Sequence, residues 1–278
     1  MNVDRKAVEQ LRFHRSERLL GSDTMVGLKA THVMVIGLGG VGSWAAEMLL
    51  RTGIGRMSLV DFDKVCVTNT NRQLHATRAT VGDYKAEALS ERLRVINPAA
   101  DIEPIVRFYN PESEDDILGL SPDLVLDCID NLTAKCHLLA KCVERGIPVI
   151  SSMGAAARID PTQIRVADLS ETRIDPMARA VRKILRQRFQ LERGVSTVFS
   201  IEEPKEAQST ETPYDNICVC PGGGSNGLHT CDHRNVILGT VGFVTGAFGM
   251  AMAGEAIRHL RERIEVTIPP ESQPLEAQ

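Results

Sequence analysis

The feature that most constrains the fold is a glycine-rich loop between an apolar run and a helical segment. The stretch THVMVIG carries the β-branched residues of a buried strand, and GLGGVGSWAAE continues from it with glycines at the GxGxxG spacing, at Gly37, Gly39 and Gly42. In this context the backbone N–H groups of the loop and the amino end of the helix can receive phosphate. The loop predicts a βαβ unit that binds a nucleotide, but alone it fits NAD, FAD or ATP equally.

The strand and helix pattern that follows predicts an α/β fold, a Rossmann-like doubly wound, mostly parallel sheet. A helix over residues 43–51 and a strand over residues 56–60 complete the first unit, and later cycles end in apolar runs at residues 124–126 and 149–150. Strands that are buried on both faces have such unbroken apolar runs, which favours parallel pairing. An N-terminal amphipathic helix is expected over the first thirty residues, and a C-terminal extension is expected to pack on the same core.

The length suits one large α/β domain or two small ones, and 43% hydrophobic content is ample for a packed core. We interpret the chain as a single domain, residues 1–278. Residues 12–154 form the predicted nucleotide-binding core. Residues 155–235 form a substrate-side insertion with a basic helix, which we expect to decorate the carboxyl edge of the sheet. Residues 236–265 return to the core. Their apolar run approaches the length of a membrane span, but its five glycines and the charges of Glu255 and Arg258 favour a buried strand, turn and helix.

Charge and cysteine content bear on partners and location. A net charge of -4 gives no whole-molecule attraction for nucleic acid, so a polyanion would need a local basic face. The seven cysteines have no framework spacing, and the amino end has no apolar signal region. The sequence therefore predicts a cytoplasmic protein with free thiols and no membrane segment.

The residues after the second strand favour phosphate chemistry over hydride transfer. Asp61 ends that strand, where a carboxylate can accept hydrogen bonds from both ribose hydroxyls of a nucleotide. Attack of a carboxylate on the α-phosphate of ATP develops negative charge that cations must stabilise. Arg72 and Lys85 supply cations on the same side of the sheet, and Asp130, at the end of another strand, can hold magnesium.

Each polar residue of this group also has a purely structural interpretation. Asn69, which with Asn71 could donate hydrogen bonds to phosphate, could instead cap a helix. Lys85 could be a solvated surface residue, and Asp130 could be the N-cap of the helix in NLTAKCHLL. Their order after the glycine loop favours the functional interpretation.

Four segments resemble the adenylation domain of the ubiquitin-activating-enzyme-like superfamily: GLGGVGSWAAE, LVDFDKVCVTNTNRQLHA, VGDYKAEALSERLRVINP and DCIDN. The resemblance implies a homodimer that uses ATP and magnesium. It implies that Asp130 coordinates the metal, and that Arg15, in RFHRSERLLG, enters the site of the partner subunit as a catalytic residue beside Arg72 and Lys85. The residues that it implies for ATP or for the surrounding loop are Gly37, Gly39, Gly40, Gly42, Asp61, Asp63, Asn69, Arg72, Gln73 and Lys85.

Within the superfamily, the sequence resembles the tRNA threonylcarbamoyladenosine dehydratase branch over about residues 12–204. The segments that carry this resemblance include GSWAAEMLLRTGIGRMSLVDFDK, IDPTQIRVADLSETRIDPMARAVRKILR and VFSIEEP. It implies ATP-dependent cyclisation of the threonylcarbamoyl group of a tRNA through an acyl-adenylate. A cysteine desulfurase or sulfur-acceptor system is a further partner that the resemblance leaves open.

A tRNA substrate requires a basic surface, and the region 171–193 contains seven basic residues against three acidic ones. Arg179, Arg182, Lys183 and Arg186 follow the spacing i, i+3, i+4 and i+7, so they share one face of a helix. The face is interpreted as a contact for backbone phosphates, with a merely solvated face as the alternative. We expect the return of the chain to the sheet to bring this face close to the nucleotide site.

The C-terminal cysteines leave two interpretations open. Cys231 lies where relatives place a reactive cysteine, which makes it a candidate catalytic residue, although direct cyclisation of an adenylate needs no thiol. A zinc site is the other interpretation, but the CxC pair is poor geometry for tetrahedral coordination. Its candidate ligands are Cys218, Cys220, His229, Cys231 and His233, and buried structural thiols are expected at Cys128, Cys136 and Cys142.

Four functions follow from these features. The leading hypothesis is an AMP-forming, ATP-dependent tRNA-modifying dehydratase. The second is an adenylyltransferase that activates the C-terminus of a ubiquitin-like sulfur-carrier protein, against which the missing CxxC pairs and the basic face count. The third is a non-catalytic nucleotide-binding module that recruits a partner. An NAD-dependent dehydrogenase is last, because no acid or base for hydride transfer is evident.

Overall fold

A seven-stranded sheet organises the chain in the computed structural model, which describes residues 11–206 and 238–267. The strand order is β3-β2-β1-β4-β5-β7-β6. The strands are β1 (His32–Ile36), β2 (Arg56–Val60), β3 (Asp101–Ile105), β4 (Leu124–Asp127), β5 (Val149–Ser152), β6 (Ile164–Asp168) and β7 (Ser196–Ser200). Every pairing is parallel except that of β6 with β7. The predicted doubly wound, mostly parallel sheet is confirmed.

Helices cover both faces of the sheet, as apolar strands in a parallel sheet require. The helices are α1 (His14–Leu20), α2 (Ser22–Ala30), α3 (Gly42–Thr52), α4 (Lys85–Ile96), α5 (Glu114–Leu118), α6 (Leu132–Glu144), α7 (Pro176–Phe189) and α8 (Gly242–Thr267). One core cluster joins the sheet to α3, α4 and α8, with Leu49, Leu89 and Phe248 buried at its centre. A second cluster joins the opposite face to α6 and α7 through residues such as Leu139 and Val181.

The N-terminal helix is interrupted, contrary to the single amphipathic helix predicted. Within the described residues, a short turn at Leu11–Phe13 leads into α1, and α2 begins only after Gly21. Gly21 has φ of 87°, a conformation that glycine adopts without the steric cost of a side chain. The helix therefore ends at this glycine.

The segment after residue 155 contributes to the sheet itself, which corrects the expectation that it only decorates the carboxyl edge. β7 pairs in parallel with β5, with Ile150 opposite Ser196, and β6 closes the edge as an antiparallel strand. The irregular pattern of IRVAD in β6 reflects an edge strand that is only half-buried. Residues 207–235 of the predicted insertion lie outside the described residues, and in its described part α7 is the predicted basic helix.

The C-terminal part returns to the core as predicted, but as one helix instead of a strand, turn and helix. From residue 238 onward the described chain has no strand, and α8 begins at Gly242 and packs along α3. Glycines permit this close approach, since a Cβ at Gly249 would lie 2.6 Å from Trp44 Cβ and from Val41 O. In the described ranges, no helix has both the length and the apolar character needed to cross a membrane.

Two glycines of α8 give opposite expectations for substitution by alanine. Gly249→Ala should lower the free energy of unfolding by about 1–3 kcal/mol, because the added methyl group overpacks the contact with α3. Gly254→Ala is the matched control: its Cβ would meet nothing within 4 Å, so the higher helix propensity of alanine should add about 0.5–1 kcal/mol. Urea unfolding of the two variants measures both values. Equal effects would contradict the proposed α3–α8 contact.

Candidate functional site

The glycine loop joins β1 to α3 at the carboxyl edge of the sheet and folds tightly against the turn after β4. Gly37 has φ of 90°, and a Cβ there would lie 2.7 Å from Cys128 O. A Cβ at Gly42 would lie 1.9 Å from Gly37 O, so no larger residue fits there without a shift. At Gly39, by contrast, a Cβ would meet nothing within 4 Å. The backbone at Gly39 is therefore open to an approaching ligand at the amino end of α3.

Asp61 connects the end of β2 to this loop. Its side chain is buried, and one carboxylate oxygen accepts from Leu38 N at 2.7 Å while the other accepts from Asp63 N at 2.8 Å. Burial raises the pKa of Asp61, whereas the nearby charge of Lys85 lowers it. A carboxylate has about four lone-pair sites. Asp61 can therefore accept further hydrogen bonds, as the predicted ribose contact requires.

Lys85 is a buried cation and not a solvated surface residue. It is the first residue of α4, and its Nζ lies 2.7 Å from Asp63 Oδ2. Burial opposes the charged ammonium form, but the charges of Asp61 and Asp63 outweigh burial and raise the pKa of Lys85. The lysine therefore remains positively charged at neutral pH, in contact with Asp63.

Asp130 is an exposed residue in the turn between β4 and α6, and its charge also contributes to the raised pKa of Lys85. It is not the N-cap of α6, which corrects the structural interpretation. Asn131 has that role, since its side chain accepts from Ala134 N at 3.0 Å. Asp130 is thus available to a ligand at the same edge as Lys85.

The loop after Asp63 brings Arg72 beside the glycines. The Cγ atom of Arg72 would lie 3.2 Å from a Cβ at Gly40, and its guanidinium donates to Thr68 O at 3.0 Å and to Asn71 Oδ1 at 2.9 Å. Asn69 is buried and organises the loop, because its Oδ1 accepts from Cys66 N at 2.9 Å within a short 3-10 helix at Val67–Asn69. The side-chain oxygen of Asn69 thus caps this short helix, as the structural interpretation predicted.

Two buried polar side chains in the same loop have atoms without a hydrogen-bond partner in the part of the chain described. They are Gln73, through Oε1, and His75, through both ring nitrogens. Burial, together with the charges of Lys85 and Arg92, lowers the pKa of His75 to about 3. Gln73 also holds the loop through its backbone, since its N–H donates to Asn69 O at 2.9 Å.

Two further residues were predicted to be catalytic, Arg15 and Cys231. Arg15 lies on α1 and is exposed. Cys231 and the other candidate zinc ligands lie outside the described residues, and within the described ones no group of three or more His, Cys, Asp or Glu residues is arranged to hold a metal ion. Of the expected structural thiols, Cys136 and Cys142 are buried and Cys128 is half-buried.

A buried ion pair beneath the site was missed by the sequence analysis. Lys135 Nζ lies 2.6 Å from Asp127 Oδ2, and both side chains are 0% exposed. Lys135 also donates to Ser152 O, and Ser151 Oγ donates to Asp127 at 2.6 Å. The other oxygen of Asp127 accepts from Ile129 N, in the turn that carries Asp130. The sequence did contain a sign of this pair: a lysine lies among the apolar residues of the buried face of α6. An unpaired charge is too costly to bury there, so a carboxylate partner was to be expected.

The basic face of α7 lies away from the glycine loop, contrary to expectation. At the start of α7, Arg158 contacts Asp175 and donates to Gly154 O, just beyond β5 at the carboxyl edge. Further along, Arg182 donates to the carbonyl groups of Leu169 and Thr172, near the opposite edge. The helix therefore runs from the carboxyl edge toward the amino edge, and its basic residues follow it away from the loop.

The arrangement of side chains at the carboxyl edge of the sheet suits a nucleoside triphosphate. Gly39 leaves room at a helix amino end, Asp61 has acceptor capacity for a sugar, and Lys85 and Arg72 supply positive charge. Asp130 offers the carboxylate oxygen that magnesium prefers. Such a site can stabilise the charge that develops when a carboxylate attacks a phosphate.

Comparisons with known proteins show what the whole chain is similar to. Residues 13–275 match the ThiF family. A tRNA threonylcarbamoyladenosine dehydratase of Haemophilus influenzae is 37% identical over 91% of this chain and 94% of its own length. The solved structure of the Escherichia coli tRNA N6-threonylcarbamoyladenosine dehydratase TcdA in complex with ATP superposes with a TM-score of 0.79 at 36% identity, over 91% of this chain and 95% of that one. A molybdopterin-synthase adenylyltransferase of Escherichia coli is 38% identical over 55% of this chain and 61% of its own length.

The buried ion pair gives a prediction about stability. Lys135→Met should lower the free energy of unfolding by about 3–5 kcal/mol, because it leaves the Asp127 carboxylate buried without its cation. The double variant Asp127→Asn/Lys135→Met removes both charges and should recover most of that stability. Urea unfolding of both variants provides the measurement. A double variant no more stable than the single one would show that packing, and not charge, is responsible.

Proposed function

The chain belongs to the ThiF family, and on that premise we propose that it catalyses the ATP-dependent dehydration of threonylcarbamoyladenosine in tRNA. The observation that carries the proposal is the grouping of Arg72, Lys85, Asp61 and Asp130 around the open glycine loop. It is supported by the named dehydratases, whose similarity extends over about nine-tenths of both chains. Similarity to the adenylyltransferase, in contrast, extends over little more than half of this chain.

The proposed reaction has two steps, adenylation of the threonyl carboxylate and ring closure. The threonyl carboxylate attacks the α-phosphate of ATP, a P–O bond breaks and pyrophosphate leaves, which yields an acyl-adenylate. A nucleophile of the carbamoyl unit then attacks the activated carbonyl and releases its proton, while the bond from the carbonyl carbon to the adenylate oxygen breaks and AMP leaves with that electron pair. The ring closes, and the nucleoside has lost the elements of one water, with the oxygen carried away in AMP. Arg72 and Lys85 stabilise the phosphate charge in the first step.

The remaining residues have proposed roles in binding and orientation. Asp61 and Asp63 would bind at the sugar side, with Asp63 also holding Lys85 in place. The backbone of Gly37, Gly39, Gly40 and Gly42 would receive the phosphates, and Asn69 and Gln73 would hold the surrounding loop. Asp130 would hold magnesium, which supplies positive charge to the triphosphate when bound.

We further propose a cytoplasmic homodimer in which Arg15 of one subunit acts in the site of the other. Its exposure on α1 is compatible with such a contact. A sulfur-transfer partner acting through Cys231 is the alternative route. Because adenylate cyclisation needs no thiol, we expect Cys231→Ala to retain turnover, and loss of turnover would favour a thioester at Cys231 as an intermediate.

One assay separates the candidate functions. The protein is incubated with ATP, magnesium and tRNA that carries threonylcarbamoyladenosine, and both AMP release and the mass of the modified nucleoside are measured. The dehydratase releases AMP and the nucleoside loses the mass of one water. An adenylyltransferase releases pyrophosphate only with a carrier protein, a non-catalytic module does neither, and a dehydrogenase needs NAD. Unchanged nucleoside mass in this assay would refute the proposal.

A conservative change at Asp130 tests its proposed role in holding the metal. Asp130→Asn should reduce the rate of AMP formation by roughly 100-fold or more, with a higher magnesium requirement, because a charged ligand of the metal becomes neutral. Asp101→Asn is the matched control, since Asp101 is an exposed residue at the amino end of β3 and forms a surface ion pair with Arg56. A rate for Asp130→Asn within about twofold of the wild type would refute the assignment, because loss of a metal ligand has a far larger effect.

Subunit mixing tests the proposed role of Arg15. Arg15→Ala and Asp130→Asn should each be nearly inactive alone. In a statistical mixture about half of the dimers are mixed, and each mixed dimer has one site with both residues intact. About a quarter of the wild-type activity should therefore return on mixing after subunit exchange. Activity no higher than that of the separate variants would mean that Arg15 does not act across the dimer.

A further inference from the structure

We infer that a groove on the far side of α7 binds backbone phosphates of the tRNA outside the reacting nucleotide, an inference that rests on the proposed function. The groove has a volume of about 410 Å³. It is lined by Ser170, Glu192 and five basic residues, Arg179, Arg182, Lys183, Arg186 and Arg193. Five cations against one carboxylate make the groove strongly positive in a chain whose net charge is -4.

The cations of the groove have no carboxylate partner within the described chain. Some exposed arginines elsewhere in that part of the chain are neutralised by ion pairs, as Arg107 is by Asp116, Arg258 by Glu262 and Arg261 by Glu265. No ion pair or hydrogen bond of the Arg179, Lys183, Arg186 or Arg193 side chains occurs within the described residues. Unneutralised cations that converge on a groove are suited to a polyanion, whose binding releases counterions.

Arg182 gives the groove a fixed wall. Its guanidinium donates to Thr172 O at 2.8 Å and also to Thr172 Oγ1, and Thr172 itself is buried. The helix is fixed at its amino end as well, because Asp175 accepts from Ala178 N and contacts the buried Arg158. The exposed side chains of Arg179, Lys183 and Arg186 therefore project from a rigid element, which favours a defined phosphate register over diffuse attraction.

The position of the groove decides which phosphates it can contact. The glycine loop follows β1, and the edge strand β6 lies four strands away from β1 in the sheet. At about 4.8 Å between neighbouring strands, this separation is roughly 19 Å. The groove also lies toward the opposite end of the strands, as the contacts of Arg182 with Leu169 indicate. A nucleotide reacting at the glycine loop cannot place its own phosphates there. The groove suits a more distant part of the same RNA.

The test compares a long and a short substrate in variants of the groove. The triple variant Arg179→Gln/Lys183→Gln/Arg186→Gln removes three cations of the groove, and Arg188→Gln is the matched control, an exposed arginine of α7 that does not line the groove. The substrates are full-length tRNA and a trinucleotide, each carrying threonylcarbamoyladenosine. KM and kcat are measured with each at several salt concentrations, and binding of unmodified tRNA is measured without ATP.

We expect the KM of the triple variant for full-length tRNA to rise about tenfold or more, with kcat and the KM for ATP unchanged. The slope of log affinity against log salt should become shallower by about one for each phosphate that the variant no longer neutralises. The trinucleotide should be processed equally by wild type, triple variant and control. Equal tRNA binding by the triple variant and Arg188→Gln overturns the inference, and so does an equal rise in KM with the trinucleotide.

The measured binding of unmodified tRNA tests this inference independently of the proposed function. If the wild type leaves the modified nucleoside unchanged, the proposed function fails, while weaker binding of unmodified tRNA by the triple variant still supports an RNA-binding groove. If the triple variant binds tRNA normally but is no longer retained on anionic phospholipid vesicles, the groove serves a lipid surface and the inference is wrong.

Discussion

The hydrogen bond from Leu38 N to the buried Asp61 carboxylate is the contact on which the site depends. It fixes the glycine loop to the end of β2, two elements that the chain separates by a helix. The second oxygen of Asp61 accepts from Asp63 N, and Asp63 in turn holds Lys85. One carboxylate thus sets the relative positions of the phosphate-binding backbone and its nearest cation. Its burial raises its pKa, so the ionised form relies on Lys85 and on these two amides.

The sequence predicted well those elements whose pattern is local. The strand at Arg56–Val60 was predicted to the residue, because an apolar run between a glycine turn and an acidic end has few alternatives. The antiparallel pairing of β6 at the edge of the sheet was not predicted, since Arg165 and Val166 are both exposed and the strand has no alternation. The break at Gly21 depends on the backbone freedom of glycine, and the single helix α8 depends on packing against α3. Neither can be predicted from the spacing of apolar residues.

The same distinction applies to the site. The sequence predicted that Asp61, Lys85 and Asp130 lie on the same side of the sheet as the glycine loop, because parallel strands end at one edge of a sheet. It did not reveal that Lys85 is buried against Asp63, or that Asp127 and Lys135 form a buried pair below the turn. The direction of α7 across the sheet was also unpredictable from helix periodicity, since the long-range contact between Arg158 and Asp175 places the amino end of the helix at the carboxyl edge.

The charged side chains grouped at the glycine loop do not give it a net positive charge. The group contains three carboxylates, Asp61, Asp63 and Asp130, against the two cations Lys85 and Arg72. Lys85 is already paired with Asp63, and Arg72 already donates to Asn71 and Thr68. A triphosphate adds several negative charges to a site that is not net positive, and two unit charges at short range near a protein surface interact by about 4 kcal/mol. Additional positive charge would offset this repulsion, and the proposed magnesium ion at Asp130 and the proposed arginine from a partner subunit would each supply it.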